Sequence, residues 1–429
     1  MLERLFQLKA HGTDVRTEVL AGLTTFLTMA YIAFVNPEIL GSAGMPREAV
    51  FTATCLAAAI GSAIMGLYAN YPVALAPGMG LNAYFAFVVV GTLGHPWQTA
   101  LGAVFISGCL FLVVSILRIR EWIIDAIPAS LKSAITAGVG FFLALIGLKN
   151  AGLVTAHPVT FVTLGDLHHL PVLLAVLGFL AILVLEARRV TGAVLLAILG
   201  VTLAAVALGL VPFQGLFAPP PSLAPTFLQM DLKGAIDMGI LSIVLTFFLV
   251  ELFDASGTLI AVAQRAKLLD AQGRLPRLGR ALMADSTAIV LGASLGTSST
   301  TAYLESASGV AVGGRTGLTA VVVAILFLAM LVFSPLAAMV PAYATAPALL
   351  YVAILMARGL AEVQWDDLTE AAPAAVTAIT IPFTFSVANG LAFGFITYAA
   401  LKLLTGRVRE LPLAVAVIAT VFLVKFLWL

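Results

Sequence analysis

The chain has 429 residues, of which 61% are hydrophobic and 10% are charged, and its formal net charge is +1 at pH 7. A water-soluble domain of this length needs far more charge to cover its surface, so the composition predicts a polytopic membrane protein. The net charge gives no sign of a nucleic-acid partner, and charge is informative here only by its position along the chain.

Apolar runs of membrane-crossing length follow one another from residue 17 to the end, and a wetter stretch at 211–237 divides them into two sets. The first set predicts helices over 17–36, 50–69, 72–92, 98–118, 130–150, 170–187 and 191–210. The second set predicts helices over 238–262, 279–296, 298–313, 317–334, 341–357, 370–386 and 388–404, with one more over 411–428.

This pattern predicts an all-α membrane protein with about fourteen spanning segments in two repeats of seven. An odd number of crossings in each repeat makes the second repeat inverted relative to the first. The expected divisions are a cytoplasmic tail (1–16), the first repeat (17–210), an extracytoplasmic connector (211–237), the second repeat (238–404) and a C-terminal segment (405–429).

Basic residues concentrate in alternate loops, which sets the orientation. The loops on the side of the N-terminus contain most of them, including Arg188-Arg189 and Arg315, whereas the opposite loops contain only Arg47 and Lys233. The positive-inside rule therefore predicts a cytoplasmic N-terminus.

Two polar interruptions at membrane depth predict broken helices. The stretch from Ser298 to Thr319 is rich in small residues and carries one carboxylate, Glu305. About five extended residues at roughly 3.3 Å each, followed by about ten helical residues at roughly 1.5 Å each, would cross the ~30 Å hydrocarbon core. We therefore expect extended chain through Thr300 and Thr301 and a half-helix from Ala302 onward.

The third apolar run has a matching interruption. Pro77, Gly78 and Gly80 disfavour a continuous helix, so we expect an extended entry and a half-helix that starts near Gly80 and contains Asn82. The N-termini of the two half-helices would face each other near the midplane, where their free N–H groups suit a carbonyl or ring nitrogen of a planar ligand. This arrangement predicts the substrate site of a transporter.

Three carboxylates occupy apolar runs: Glu251 and Asp254, which share one helix face, and Glu305. An acidic residue at the centre of a membrane helix costs about 2.5–3.5 kcal/mol on insertion scales, and no lysine or arginine lies at matching depth. All three are therefore candidates for carrying a coupling proton, with no other cofactor. Hydrogen bonding to the backbone of a half-helix explains Asp254 equally well.

Several other residues have a simpler explanation. Phe85, Phe253 and Tyr303 are expected core aromatics, although each lies close enough to a candidate site group to stack on a flat ligand. Glu18 and Asp285 are expected at helix starts, where the helix dipole favours a negative charge. The run 313–317, Gly-Gly-Arg-Thr-Gly, lacks the spacing of a phosphate loop and predicts a cytoplasmic hinge.

The motifs around these residues resemble the AzgA-like guanine/hypoxanthine permeases, a branch of the nucleobase–ascorbate transporter superfamily. The resemblance covers essentially the whole chain, and its motifs are Gly80-Leu-Asn-Ala-Tyr84, Glu251-Leu-Phe-Asp254 and the stretch from Thr301 to Ala320. One departure is Glu251, because this branch usually has an aspartate there.

The resemblance implies a proton symporter for purine bases in the cell (inner) membrane, with a core domain of helices one to four and eight to eleven and a gate domain of the others. It implies base binding by Asn82, Glu251 and Glu305, with Asp254 in support. Residues beside them are further candidates for the pocket: Gly80, Phe85, Phe253, Thr301 and Tyr303.

Alternatives remain open. A xanthine or uracil permease of the same superfamily is a close one, and anion exchange on the same fold is more distant because two carboxylates would line the site. An integral-membrane enzyme is disfavoured because no histidine lies at membrane depth and no metal-ligand spacing is present. A homodimer is also possible from the sequence.

Overall fold

The computed structural model describes residues 2–117, 127–236, 241–266, 268 and 275–428. The elements of the first half are α1 (Leu2–Phe6), α2 (Val15–Met29), α3 (Ile32–Gly41), α4 (Arg47–Ile64), β1 (Leu75–Pro77), α5 (Met79–Ala83), α6 (Trp97–Ile116), α7 (Ala129–Asn150), β2 (Val154–His157), β3 (Phe161–Leu164), α8 (Leu170–Ala187) and α9 (Ala193–Ala207). Turns of π-helix extend α4 over Met65–Ala69 and α5 over Tyr84–Thr92.

The second half begins after an irregular stretch that ends in a short 3-10 helix, Gly234–Ile236. Its elements are α10 (Leu241–Arg265), α11 (Leu278–Leu295), β4 (Thr300–Ala302), α12 (Ser306–Val312), α13 (Gly317–Met330), α14 (Ser334–Met339), α15 (Ala342–Ala357), α16 (Leu368–Phe383), α17 (Val387–Leu404) and α18 (Leu413–Trp428). The predicted helical architecture is confirmed.

Nine helices within the described ranges are long and apolar enough to cross a membrane. Shorter apolar helices account for further predicted runs: Met79–Thr92, Ala193–Ala207, Ile243–Leu252, Leu368–Phe383 and Leu413–Val424. The last run, predicted over 411–428, is helical and packs on α17. At about 1.5 Å per residue, its 16 residues span roughly 24 Å, which is short of the ~30 Å hydrocarbon core.

The helices pack in two groups. In one, α6 packs on α11, and α13 packs on α2 and α4, with α12 against α2. In the other, α7 packs on α15 and α16, α8 packs on α15, and α16 packs on α17. In the first group, the start of α13 approaches the end of α4 closely at Gly317, because a Cβ there would clash with the backbone carbonyl of Gly66.

The predicted broken helices are present, but the half-helix after β4 begins later than expected. Ala302 is the last residue of β4 and not the first of a helix, and α12 has 7 residues where about ten were expected. Strand pairing explains the difference, because Ala302 pairs with Leu75 and is therefore held extended. The helix after β1 starts at Met79, one residue before Gly80.

A charged cluster joins the start of α16 to the end of α17. Asp367 caps the N-terminus of α16 and accepts a hydrogen bond of 2.6 Å from Nη1 of Arg407, which lowers the pKa of Asp367 to about 2. The amino group of Lys402, which is 1% exposed, lies 3.0 Å from Glu370 and 2.8 Å from Glu410. These contacts tie the last two helices of the second group together.

Candidate functional site

A two-stranded antiparallel ladder forms the centre of the candidate site. Leu75 pairs with Ala302, Ala76 with Thr301 and Pro77 with Thr300, and all six residues are buried. The ladder is extended by a hydrogen bond of 2.8 Å from the Gly78 amide to the Ser299 carbonyl. Backbone at membrane depth needs such partners, so the pairing makes two non-helical segments tolerable there.

The hydroxyls beside the ladder are used within the protein. Tyr303 donates its hydroxyl to the carbonyl of Pro77 at 2.6 Å, and Thr301 donates to the buried carboxylate of Asp285 at 3.2 Å. These contacts fix β4 against β1 and against α11. Asp285 lies well inside α11, so the expectation that it sits at a helix start is wrong.

Glu305 occupies the N-cap position of α12 and is partly exposed. Its Oε1 accepts a hydrogen bond of 2.6 Å from the hydroxyl of Tyr31, which lies between α2 and α3 and is 1% exposed. Its electrostatic neighbours among the described residues include a second carboxylate, Glu186, at the end of α8, and Tyr351 on α15. Glu305 therefore lies where α12 faces the second group of helices.

Glu251 is fully buried in α10, and its two carboxylate oxygens have different partners. Oε1 accepts from the hydroxyl of Ser299, just before β4, and Oε2 accepts from the hydroxyl of Ser107 on α6 at 3.3 Å. The carboxylate thus connects α10 to the segment that enters the ladder.

Asn82 lies in α5 and is 0% exposed. Its Nδ2 donates to Oδ1 of Asn36 at 2.5 Å, and Nδ2 of Asn36 donates to the hydroxyl oxygens of Thr54 at 2.7 Å and Thr297 at 2.9 Å. Oδ1 of Asn82 is buried and meets no donor in the part of the chain that the structure describes.

The remaining predicted site residues have varied surroundings. Gly80 is needed for close packing, because a Cβ there would lie 2.5 Å from Cγ1 of Val139 on α7. Phe85 is a fully buried core residue. Phe253 and Asp254 belong to α10, but their side chains lie outside the described residues.

The segment 297–305 connects the three principal candidates. It contacts Asn82 through Asn36 and Thr297, it contacts Glu251 through Ser299, and it ends at Glu305. The supporting residues Tyr31, Asn36, Ser107 and Ser299 were not predicted individually from the sequence. Asn36 alone gave a signal, as an amide at the end of an apolar run.

Glu18 is at a helix start, as expected, and it also compensates the terminus of a second helix. It lies in the first turn of α2, is 0% exposed, and its carboxylate accepts hydrogen bonds from the amides of Arg315, Thr316 and Thr319 at the start of α13. Nη1 of Arg315 in turn donates to the carbonyls of Val310 and Gly314, both at 2.7 Å. The run 313–317 is thus a tightly bonded turn between α12 and α13.

Comparison with known proteins identifies the family. A family model described as "Permease family" (Xan_ur_permease) matches residues 16–393. The adenine permease AdeP of Escherichia coli (strain K12) is 52% identical over 429 residues, which cover 100% of this chain and 96% of the relative. The guanine/hypoxanthine permease PbuG of Bacillus subtilis (strain 168) is 46% identical over 440 residues, with 100% of both chains covered.

Solved structures show the fold. The transmembrane domain of the cyanobacterium bicarbonate transporter BicA has a TM-score of 0.66 at 17% identity and covers 88% of this chain and 97% of that one. SLC26A9 has a TM-score of 0.65 at 9% identity and covers 91% of this chain and 66% of that one. With the whole-length relatives, these matches confirm the resemblance found in the sequence: the chain belongs to the Xan_ur_permease family of permeases and is a multi-pass membrane transporter rather than an enzyme.

Proposed function

We propose that this permease imports a purine nucleobase together with a proton, by alternating access. Relatives that match the full chain at 52% and 46% identity are named as adenine and guanine/hypoxanthine permeases, which supports a purine as the substrate. A proton is the only coupling ion or cofactor in this proposal. The protein would lie in the plasma membrane with its N-terminus in the cytoplasm.

The observation that carries the proposal is the placement of Glu305. It is a partly exposed carboxylate beside the ladder, and Tyr31 uses only its Oε1. Oε2 can then accept an N–H group of a base in a charge-assisted hydrogen bond. Asn82 and the buried Glu251 complete the proposed base and proton site, with Asp254 in support.

The two packing groups supply the moving parts. We assign the group around the ladder to the substrate-carrying core, made by the predicted helices one to four and eight to eleven, and the group around α7 and α15 to the gate. Because the ladder bonds both half-helices to each other, the proposed site moves as one unit against the gate. A homodimer is also part of the proposal.

Coupling requires that the base bind the protonated and deprotonated carrier differently, since equal binding would leave the two fluxes independent. A carboxylate that touches the site can meet this requirement because it gains or loses its charge with the proton. Glu251 is the proposed coupling residue, because its carboxylate bonds directly to Ser299 at the entry to β4.

The test is uptake of labelled adenine and hypoxanthine by purified protein in liposomes with an imposed pH gradient. Glu305→Gln should abolish uptake while keeping expression, since glutamine retains the size but loses the charge. Glu251→Gln should still exchange base across the membrane but lose accumulation and its response to external acid. Glu48→Gln, an exposed glutamate on α4, is the matched control.

Uptake of uracil, with no competition by adenine, guanine or hypoxanthine, would reject the purine assignment. Uptake of xanthine with no competition by those three bases would instead make the protein a xanthine permease. Accumulation by wild-type protein that persists with a protonophore would reject proton symport. Accumulation by Glu251→Gln that still collapses with a protonophore would move the coupling role to Glu305 or Asp254.

A further inference from the structure

The hydrogen bonds from Thr54 to Asn82 have a fixed direction. The hydroxyl of Thr54 donates to the carbonyl of Val50 at 2.6 Å, one turn earlier in α4. A hydroxyl has a single proton, so the oxygen of Thr54 can only accept from its other neighbour, Asn36. The atom of Asn36 that lies 2.7 Å away must therefore be the donor, Nδ2.

The direction then passes to Asn82. With Nδ2 of Asn36 turned to Thr54, the opposite atom is the acceptor Oδ1, and it lies 2.5 Å from Asn82. Asn82 must place its own Nδ2 there, which leaves its carbonyl oxygen on the remaining side. That oxygen is buried and has no donor within the described residues, and a buried polar atom of this kind calls for a partner.

We propose that Asn36 and Thr54 are positioning residues that hold Asn82 as a hydrogen-bond acceptor, that the 6-substituent of the base faces this oxygen, and that the contact favours 6-aminopurines over 6-oxopurines. The proposal rests on the proposed function, since it concerns the choice among purines. An exocyclic amine offers a proton to the Asn82 oxygen, whereas a 6-oxo group would bring two acceptors together. A free amide could rotate to serve either group, but one held by Asn36 cannot.

The size of the effect follows from one hydrogen bond. Leaving a pocket acceptor without its donor should weaken the binding of hypoxanthine relative to adenine by about tenfold, which corresponds to about 1.4 kcal/mol. Guanine shares the 6-oxo group and should be disfavoured in the same way at this position.

The experiment measures displacement of labelled adenine or hypoxanthine from purified protein by unlabelled adenine and hypoxanthine. The readout is the ratio of the two inhibition constants. Wild type should favour adenine by about tenfold or more. Thr54→Val and Asn36→Ala should each bring the ratio close to one, because Asn82 can then turn, whereas Thr54→Ser keeps the hydroxyl and should keep the ratio.

Wild-type protein that binds hypoxanthine as well as or better than adenine would overturn the proposal. An unchanged ratio in either Thr54→Val or Asn36→Ala would overturn the positioning role. If only one of these variants folds, the ratio measured on that variant is enough to test the positioning role. Failure of every purine to displace the label would instead reject the proposed function, so the two failures are distinguishable.

Discussion

Replacing Glu18 by alanine should destabilise the junction between α2 and α13. The carboxylate accepts hydrogen bonds from the amides of Arg315 at 2.9 Å, Thr316 at 3.2 Å and Thr319 at 3.2 Å, and from the hydroxyl of Thr319 at 2.6 Å. These amides are at the start of a helix, where the Thr319 amide also reaches the Thr316 carbonyl at 3.3 Å. Alanine would leave the amides of Arg315 and Thr316 without their acceptor in a site where the side chain of Glu18 is fully buried.

The size of the loss can be bounded from these contacts. Removing an N-cap side chain costs about 0.5–2 kcal/mol, and leaving a buried donor unsatisfied costs about 1–3 kcal/mol. The costs do not add fully, since the contacts share one carboxylate, so we expect about 3 kcal/mol for Glu18→Ala. For a chain of this size, that lowers the midpoint of thermal unfolding by roughly 3 °C. Glu18→Gln keeps one acceptor oxygen and should lose about half as much.

The assay is thermal unfolding of detergent-purified protein, followed by the fraction that remains monodisperse after heating. Glu48→Ala is the control, because Glu48 is also in the first turn of a helix but is exposed. Equal midpoints for Glu18→Ala and Glu48→Ala would refute the reasoning. An equal loss in Glu18→Gln and Glu18→Ala would show that the charge, and not the number of bonds, decides.

Three further predictions concern other contacts. Tyr31→Phe removes the hydroxyl bonded to Glu305, a charge-assisted bond worth about 1.5 kcal/mol, and should slow uptake about tenfold at normal expression; unchanged uptake would contradict it. Gly317→Ala should lower the unfolding midpoint because an added methyl group in a tight contact costs about 1–3 kcal/mol, whereas Gly279→Ala, with open space around it, should not lower it. Asp367→Asn should be less stable than wild type at neutral pH. The stabilities of the two proteins should converge as the pH falls from the ordinary aspartate pKa near 3.8 towards about 2, because Asp367 of the wild type is then protonated. Acid unfolding curves that stay apart would disprove this.

The sequence was most informative about the membrane and about the broken helices. Apolar length predicted where helices lie, and Pro77 and Gly78 predicted a break that the structure confirms. It could not predict that Ala302 is extended, because alanine favours helix on its own and only pairing with Leu75 holds it in a strand.

The supporting residues of the site were harder to predict for a similar reason. Serine and threonine are common in membrane helices, where they bond to their own helix backbone, so Ser107 carries no distinctive pattern. Ser299 lies in the polar stretch from Ser298 to Thr319, where several similar residues surround it. The role of these residues depends on which segments meet in the fold. The same holds for Glu18, whose partner Arg315 lies 297 residues further along the chain. Local patterns contain no information about contacts of this separation.

The ladder between β1 and β4 also constrains how the protein is made. Synthesis proceeds from the N-terminus, so Pro77 leaves the ribosome long before Tyr303, which donates to its carbonyl across a separation of 226 residues. Until then, the backbone of Leu75–Pro77 lacks its strand partner, and such groups are not tolerated in contact with lipid. Until the second half is synthesised, this segment must therefore be kept away from lipid by water, by neighbouring helices or by the insertion machinery. Chains that end before residue 300 should consequently be targets for membrane quality control, even though they contain a complete set of seven hydrophobic segments.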